Sequence, residues 1–200
     1  MPASEIAGAV EGDLDEAILR RVANCAGLTV RNVYGRRGKP NLLRSLTGYN
    51  NAARFARWVV VIDLDQDFEC APLAIQNWLP IPFPHMCLRI AVRAVEAWLI
   101  ADVDGISAWL NVAPALIPNN PDQLSHPKRE LVNLARRSRR GALKEELVPR
   151  EGSGREVGAL YTARVMQFIE DDQEGWQPER AAQNSDSLER FLRRIKQFAT

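Results

Sequence analysis

The apolar residues in the first half of the chain fall into short β-branched runs that alternate with amphipathic stretches. Residues 58–62 (Trp-Val-Val-Val-Ile) are continuously apolar, which is typical of a strand covered on both faces of a parallel sheet. Hydrophobic periodicity also predicts strands over 5–10, 28–34 and 86–93, and helices from Asp13, from Asn41 to near Arg57, over 71–78 and over 95–101. This alternation predicts an α/β fold, a mostly parallel sheet flanked by helices and joined by right-handed crossovers.

Two of these helices begin with capping signals. Asp13 is predicted to cap the first helix, and Glu16, three residues further on, would be its reciprocal partner in a capping box. Asn41 is predicted to cap the second helix, directly after a loop that is rich in glycine and arginine.

From residue 106 onward the sequence loses its strand pattern. Prolines at 114, 118, 121 and 127 interrupt a linker-like region, and amphipathic periodicity then predicts helices over 128–140, 157–170 and 187–198. Such helices need an apolar surface to cover. We therefore predict an α/β core over 1–105 and a helical extension over 106–200 that packs on it.

Composition and charge narrow the class of protein. Of the 200 residues, 46% are hydrophobic and 26% are charged, which excludes a mostly disordered chain, a collagen and a disulfide-stabilised mini-protein. No apolar run approaches the roughly 18 residues of a membrane span, and the N-terminus lacks the basic start of a secretory signal. Three cysteines without close spacing favour a reduced cytoplasm, and two histidines argue against a His-rich zinc site.

The net charge of +1 conceals a segregation of charges. Residues 1–20 carry five acids and one base, residues 63–69 carry four acids and no base, and residues 128–150 carry eight bases and three acids. This distribution would allow a metal ion and a polyanion to bind together. Solvated helix faces are the alternative interpretation of the same charges.

Carboxylates follow two of the predicted strands, at the point where each strand ends. Glu11 follows the first strand, and Asp63, Asp65 and Asp67 follow the strand over 58–62. Open α/β sheets bind ligands at the carboxyl ends of their strands, so these carboxylates are expected to converge and to raise one another's pKa. Mg²⁺ prefers oxygen ligands together with water and phosphate, whereas a helix cap is the structural alternative for an acid at a strand end.

Seven stretches of the sequence resemble a known family, in the family's order and over nearly the whole chain. They are VEGDLDEAILRRV, RRGKPNLL, WVVVIDLDQDFEC, RIAVRAVEAWLIAD, HPKREL, VGALY and AAQNSDSLERF. Val10-Glu11-Gly12 and Asp63-Leu64-Asp65 resemble the Glu and DxD motifs of Toprim domains, including those of the overcoming-lysogenization-defect nucleases. The complete set resembles the bacterial domain-of-unknown-function 4276 family, which is Toprim-like. One departure is His126, where the family has an acid before Pro-Lys.

The resemblance implies a Toprim-like core that holds Mg²⁺ or Mn²⁺. In this sequence Glu11 would act as general acid or base or as a metal ligand. Asp63 and Asp65 would hold the metal directly or through water, and Asp67 would be an auxiliary ligand.

Two further residues receive roles from the resemblance. Glu96 would complete a second metal site, and it is favoured over Asp102 because the two lie about 240° apart around a helix. Lys128 would neutralise phosphate charge in the transition state.

The function implied is a Mg²⁺-dependent nuclease that hydrolyses phosphodiester bonds in DNA or RNA. Water is expected as the nucleophile, since no nucleophilic tyrosine is assignable. The resemblance also implies a bacterial defence or mobile-element system and an AAA- or ABC-type ATPase partner on another chain, and it leaves homo-oligomer formation open. The alternative function is a non-catalytic regulatory or binding subunit of an ATPase complex. A phosphatase of the haloacid-dehalogenase type is disfavoured because Asp67 stands where that family has Thr or Val, and because it gives Glu11 no role.

Overall fold

One parallel sheet forms the centre of the structure, a computed structural model that describes residues 4–199. Its strands are β1 (Ser4–Val10), β2 (Leu28–Gly35), β3 (Trp58–Asp63) and β4 (Met86–Ala91). They lie in the order β2-β1-β3-β4, and each neighbouring pair is parallel. The predicted α/β fold, with its parallel sheet flanked by helices, is confirmed.

Helices connect these strands and make up most of the second half of the chain. Within residues 4–199 they are α1 (Asp13–Cys25), α2 (Lys39–Ala52), α3 (Ala71–Trp78), α4 (Val95–Ile100), α5 (Val103–Leu110), α6 (Pro127–Arg136), α7 (Gly141–Leu147), α8 (Tyr161–Glu170), α9 (Pro178–Ala181) and α10 (Asp186–Ala199). Two 3-10 turns, Pro114–Leu116 and Pro121–Gln123, lie in the region that was predicted to be a linker. No helix among these residues has the length and apolar character needed to span a membrane.

Each face of the sheet has its own apolar core. Alternation along β3 places Val60 and Ile62 in a cluster with α2 and α3, whereas Val59 and Val61 join a larger cluster with α1, α4 and the C-terminal helices. This two-sided burial explains why residues 58–62 are continuously apolar.

The strand order creates a switch point between β1 and β3. The chain leaves β1 toward β2 on one side of the sheet and later returns to place β3 on the other side of β1. In open α/β sheets the two loops at such a point diverge and leave a crevice at the carboxyl ends of the strands. Glu11 directly follows β1 and Asp63 is the last residue of β3, so both lie at this crevice.

The C-terminal helices pack on the α/β part rather than apart from it. The Trp176 indole N–H donates to the Trp98 carbonyl over 3.0 Å, and the Trp98 indole N–H donates to Ser187 Oγ over 2.7 Å. Both indoles are fully buried. The boundary predicted between residues 105 and 106 falls within α5.

Three local predictions were wrong. Gly12, in extended conformation, is the N-cap of α1, no side chain caps this helix end, and Glu16 instead forms ion pairs with Arg20 and Arg36. Asn41 lies inside α2, which begins two residues earlier and ends at Ala52, well before Arg57. The helix predicted over 128–140 is two helices, because the chain turns after Arg136 and resumes at Gly141.

Candidate functional site

Glu11 and Asp63 meet at the crevice between β1 and β3. Glu11 Oε1 accepts a hydrogen bond of 2.8 Å from the backbone N–H of Asp63. Asp63 Oδ1 accepts one of 3.0 Å from the backbone N–H of Val95, the first residue of α4. The carboxylate of Asp63 therefore lies at the N-terminal end of a helix, where the helix dipole favours negative charge.

Two more carboxylates complete this group, Asp15 in the first turn of α1 and Glu96 in the first turn of α4. Their exposed fractions are 7% and 1%. Both helices begin where a strand has just ended, so their first turns lie beside the carboxyl edge of the sheet. We refer to Glu11, Asp15, Asp63 and Glu96 as the carboxylate cluster.

Asp15 is the member that sequence reasoning missed as a site residue. The available signal was its spacing from Glu11. Asp15 follows Glu11 by four residues and is the third residue of α1, and the turn from β1 into α1 brings this residue back toward the end of the strand. Glu11, Asp63 and Glu96 were predicted as site residues and lie together at this edge, whereas Asp102 lies elsewhere.

Burial makes negative charge costly within the carboxylate cluster. It raises the pKa of Glu11 from 4.5 to about 7, although the hydrogen bond from Asp63 opposes the shift. Burial, followed by repulsion from Glu11 and Glu96, raises the pKa of Asp15 from 3.8 to about 7. Burial and the neighbouring carboxylates also raise the pKa of Asp63 well above its usual range.

Two oxygen atoms of the cluster are buried without a hydrogen-bond partner among the described residues. They are Asp15 Oδ1 and Glu96 Oε2. The other oxygen of Glu96 accepts a hydrogen bond from the Tyr161 hydroxyl over 3.2 Å and lies 3.6 Å from Lys128 Nζ. The charge of Glu96 is the main cause that raises the pKa of Lys128. Buried polar atoms usually have a partner, so these two oxygens are free to accept a hydrogen bond or to bind a cation.

Asp65 and Asp67 have a different partner. Their carboxylates accept from Lys39 Nζ over 2.5 and 2.9 Å, and the Lys39 ammonium also lies 5.8 Å from the centroid of the Trp78 ring. Burial lowers the pKa of Lys39, but hydrogen bonds to the two aspartates outweigh it and the pKa is raised. Lys39 begins α2 at the same edge of the sheet, and no role was predicted for it.

A cavity of about 560 Å³ opens in front of Asp63. We call it the basic cavity, because its charged lining holds five bases, Arg93, Lys128, Arg129, Arg136 and Arg155, and three acids, Asp63, Asp65 and Glu156. Of the four clustered carboxylates, Asp63 lines the cavity and the other three do not. Lys128 is in the first turn of α6, which brings the basic segment predicted from the sequence to the carboxyl edge of the sheet.

Asp102 has a structural role away from the carboxylate cluster. It is fully buried and accepts hydrogen bonds from the backbone N–H groups of Gly105 and Gln177 over 3.1 and 2.9 Å. It also forms an ion pair with Arg180, whose Nη2 lies 2.8 Å away. This residue therefore caps α5 and fixes the segment that leads into α9.

We expect Asp102→Asn to destabilise the fold by about 2 kcal/mol and to leave the response of the protein to Mn²⁺ unchanged. The substitution leaves the guanidinium of Arg180 without its anion, and the cost lies below that of a fully buried pair because Arg180 is partly exposed. Urea unfolding and calorimetric titration with Mn²⁺ would measure the two effects. Weakened Mn²⁺ binding at unchanged stability would contradict this assignment.

The donor chemistry of the carboxylate cluster fits a hard divalent cation. Within residues 4–199 no group of three or more His, Cys, Asp or Glu side chains is arranged to hold a metal ion as it stands. Backbone N–H groups are bound to Glu11 and Asp63, and Lys39 is bound to Asp65 and Asp67. The unpartnered oxygens of Asp15 and Glu96 nevertheless offer the all-oxygen donor set that Mg²⁺ and Mn²⁺ prefer.

Comparison with protein-family models, with curated proteins and with solved structures finds no match for this chain.

Proposed function

We propose that the protein is a metal-dependent nuclease that hydrolyses phosphodiester bonds with water as the nucleophile. The observation that carries the proposal is the carboxylate cluster beside a basic cavity, at the switch point of a parallel sheet. Binding of phosphate requires positive charge, and binding of a divalent cation requires carboxylate oxygens. Both lie at the edge of the sheet where α/β proteins bind their ligands.

Asp15, Asp63 and Glu96 are the residues that would hold Mg²⁺ or Mn²⁺. Asp63 lines the cavity, and the other two contribute the buried oxygens that lack partners. When bound, the metal would supply Lewis-acid chemistry, with polarisation of a phosphoryl oxygen and a lowered pKa of coordinated water. Asp65 would join this set only after release from Lys39, because its carboxylate is bound to that side chain.

Glu11 is suited to hold and move a proton. Its pKa of about 7 places the carboxyl group near half-protonation at neutral pH, where a general acid–base catalyst is most effective. The hydrogen bond from Asp63 N–H fixes Glu11 Oε1. We assign Glu11 the role of accepting the proton of the attacking water or of donating a proton to the leaving oxygen.

The basic side chains would bind and orient the phosphate. Lys128 Nζ lies 3.6 Å from Glu96, and Arg93 is fixed by hydrogen bonds to the carbonyls of Asp65 and Phe68 over 2.9 and 2.8 Å. Cations that are fixed before the substrate arrives stabilise developing charge without reorganisation.

Cleavage of supercoiled plasmid and single-stranded RNA with Mg²⁺ or Mn²⁺ tests the proposal. We expect cleavage to require added metal and to fall at least about 10²-fold in Glu11→Gln, the effect of removing a general acid–base group. Glu145→Gln is the matched control, because Glu145 is exposed on α7 and makes no ion pair in the described structure.

Cleavage at the wild-type rate by the Glu11→Gln protein would indicate a contaminating nuclease and would contradict the role assigned to Glu11. Absence of cleavage together with absence of Mn²⁺ binding by calorimetry would favour the second candidate function, a non-catalytic regulatory or binding subunit of an ATPase complex. The observation that favours this second function is the pairing of Lys39 with Asp65 and Asp67, because the lysine neutralises both carboxylates. The ATPase partner and the bacterial defence context belong to the proposal through the family resemblance alone.

A further inference from the structure

The two aspartates of the Asp63-Leu64-Asp65 motif have partners on opposite sides of the sheet edge. Asp63 accepts from the backbone N–H of Val95 at the start of α4, whereas Asp65 accepts from Lys39 at the start of α2. Helix α4 packs on the sheet face that also carries α1, and α2 packs on the opposite face together with α3. The motif is therefore divided between the two layers of helices.

The backbone at Asp65 explains this division. Strand β3 ends at Asp63, and Asp65 has a φ of 49°, in the left-handed region that aspartate adopts more readily than most residues. The N–H of Asp65 donates to the Arg93 carbonyl over 2.7 Å, and the Arg93 guanidinium donates to the Asp65 carbonyl over 2.9 Å. Strand alternation would place both aspartates on one face, but the strand has ended before the second of them.

Lys39 is held closely against Asp65 and Asp67. Its side chain is 12% exposed, and its ammonium lies 2.5 and 2.9 Å from the two carboxylates. The ring of Trp78 lies 5.8 Å from the same ammonium, within the range of a cation–π contact. Asp65 and Asp67 therefore already have a cation, and a divalent ion would bind them only after Lys39 had left all three partners.

Within the described residues, the carboxylate cluster has no cation that is held as closely. Lys128 Nζ lies 3.6 Å from Glu96, beyond the usual length of a hydrogen bond, and its side chain is 51% exposed. An ion pair this long, with a half-exposed lysine, contributes little, so a metal ion would displace it at small cost. The unpartnered oxygens of Asp15 and Glu96 belong to α1 and α4, on the side away from Lys39. Free carboxylate oxygens therefore lie on that side of the edge.

We propose that Lys39 is the permanent cation of Asp65 and Asp67, and that the protein binds a single divalent ion, at the carboxylate cluster. This inference rests on the proposed nuclease function and specifies how many metal ions its site holds. Many enzymes that act on phosphodiesters use a second metal ion to stabilise charge. Here Lys39 supplies positive charge on the α2 side of the edge as part of the chain.

The number of Mn²⁺ ions bound per chain tests the inference, by calorimetry and by electron paramagnetic resonance of the free ion. We expect one ion for the wild-type protein and no saturable binding for Asp63→Asn. Asp65→Asn and Asp67→Asn each leave Lys39 one carboxylate, so each variant should keep the ion with less than about a tenfold loss of affinity. Removal of a group that supports a metal ligand typically costs about 10–100-fold.

Lys39→Met is the converse variant, because methionine keeps an apolar chain beside Trp78 and removes the charge. We expect this protein to bind a second Mn²⁺ ion, and addition of Asp65→Asn should abolish the second site. Lys144→Met is the matched control, since Lys144 is exposed on α7 and makes no ion pair in the described structure. The control should bind one ion, as the wild-type protein does.

Two Mn²⁺ ions in the wild-type protein, or loss of the ion in Asp65→Asn, would overturn the inference. Metal-dependent cleavage by the wild-type protein would then leave the nuclease function in place. A Lys39→Met protein that unfolds in urea like wild type and still binds only one ion would also overturn the inference. Absence of both Mn²⁺ binding and cleavage in the wild-type protein would remove the nuclease function together with it.

Discussion

Asparagine at position 63 is expected to lower metal-dependent cleavage by about 10³-fold and to leave the fold intact. The amide keeps an oxygen that accepts from the backbone N–H of Val95, so the start of α4 remains fixed. It removes the carboxylate that lines the basic cavity and would bind the metal. Loss of one preorganised charge at a reacting centre costs about 10²–10³-fold, and loss of metal affinity adds to this.

The measurement is a single-turnover cleavage rate at saturating Mn²⁺, with calorimetry for metal affinity and urea unfolding for stability. Asp104→Asn is the control, because Asp104 is an exposed residue of α5 and lies outside the basic cavity. Retention of more than about a tenth of the wild-type rate in Asp63→Asn would falsify the role that we assign to Asp63.

The metal-free protein is expected to lose stability as the pH rises from about 4 to about 8. The pKa of Asp15 is about 7 in the folded protein against an ordinary value of 3.8, so the folded state binds the additional proton between these values. Stability therefore falls as the pH rises through this interval, and the loss is complete above the folded pKa. Glu11, whose pKa is also about 7, contributes with the same sign.

Asp15→Asn should remove most of the pH-dependent loss of stability that is due to Asp15. The groups facing Asp15 are Glu11, Asp63 and Glu96, together with the cation of Lys128. A pKa raised from 3.8 to about 7 corresponds to about 4 kcal/mol of lost stability. Part of this free energy belongs to the neighbouring carboxylates, because they repel Asp15. We expect the variant to be more stable than wild type by about 2–4 kcal/mol at pH 8 and equal to it near pH 3.

Urea unfolding at several pH values in the presence of a chelator measures this difference. Asp13→Asn is the matched control, two residues away in the same helix turn but exposed to solvent. A wild-type stability that does not change between pH 5 and pH 8 would contradict the burial of an acid with raised pKa. Addition of Mg²⁺ at pH 8 should stabilise wild type more than Asp15→Asn.

Much of the fold could be predicted because local patterns and tertiary structure agree. The apolar run at 58–62 required a strand with two covered faces, and the structure places it between β1 and β4 with α-helices on both sides. The helix predicted over 128–140 failed because periodicity does not report a turn between two helices that share an apolar face. The capping box failed because Gly12, in extended conformation, ends the strand-to-helix turn one residue earlier.

The candidate site was predictable where it depended on strand ends and not where it depended on side-chain partners. Glu11 and Asp63 follow from the rule that parallel strands end at one edge. Asp15 was missed because its role depends on how the first turn of α1 lies against that edge. The pairing of Asp65 and Asp67 with Lys39 was missed because these residues are 26 and 28 positions apart from it, with no pattern to relate them.

The packing of α1 has a consequence for how the chain folds as it is synthesised. The buried face of this N-terminal helix is covered by α8 and by the segment around Trp176, and Arg21 donates to the Trp176 carbonyl across 155 positions of the chain. Ribosomes add about 5–20 residues per second. Several seconds therefore pass between the synthesis of Ile18, Leu19 and Val22 and that of the helices that bury them. During that interval the nascent chain presents an apolar helix face to solvent, which is the kind of surface that chaperones bind. All four strands are synthesised by residue 91, but the helices that cover one face of the sheet are complete only when the last fifth of the protein has emerged.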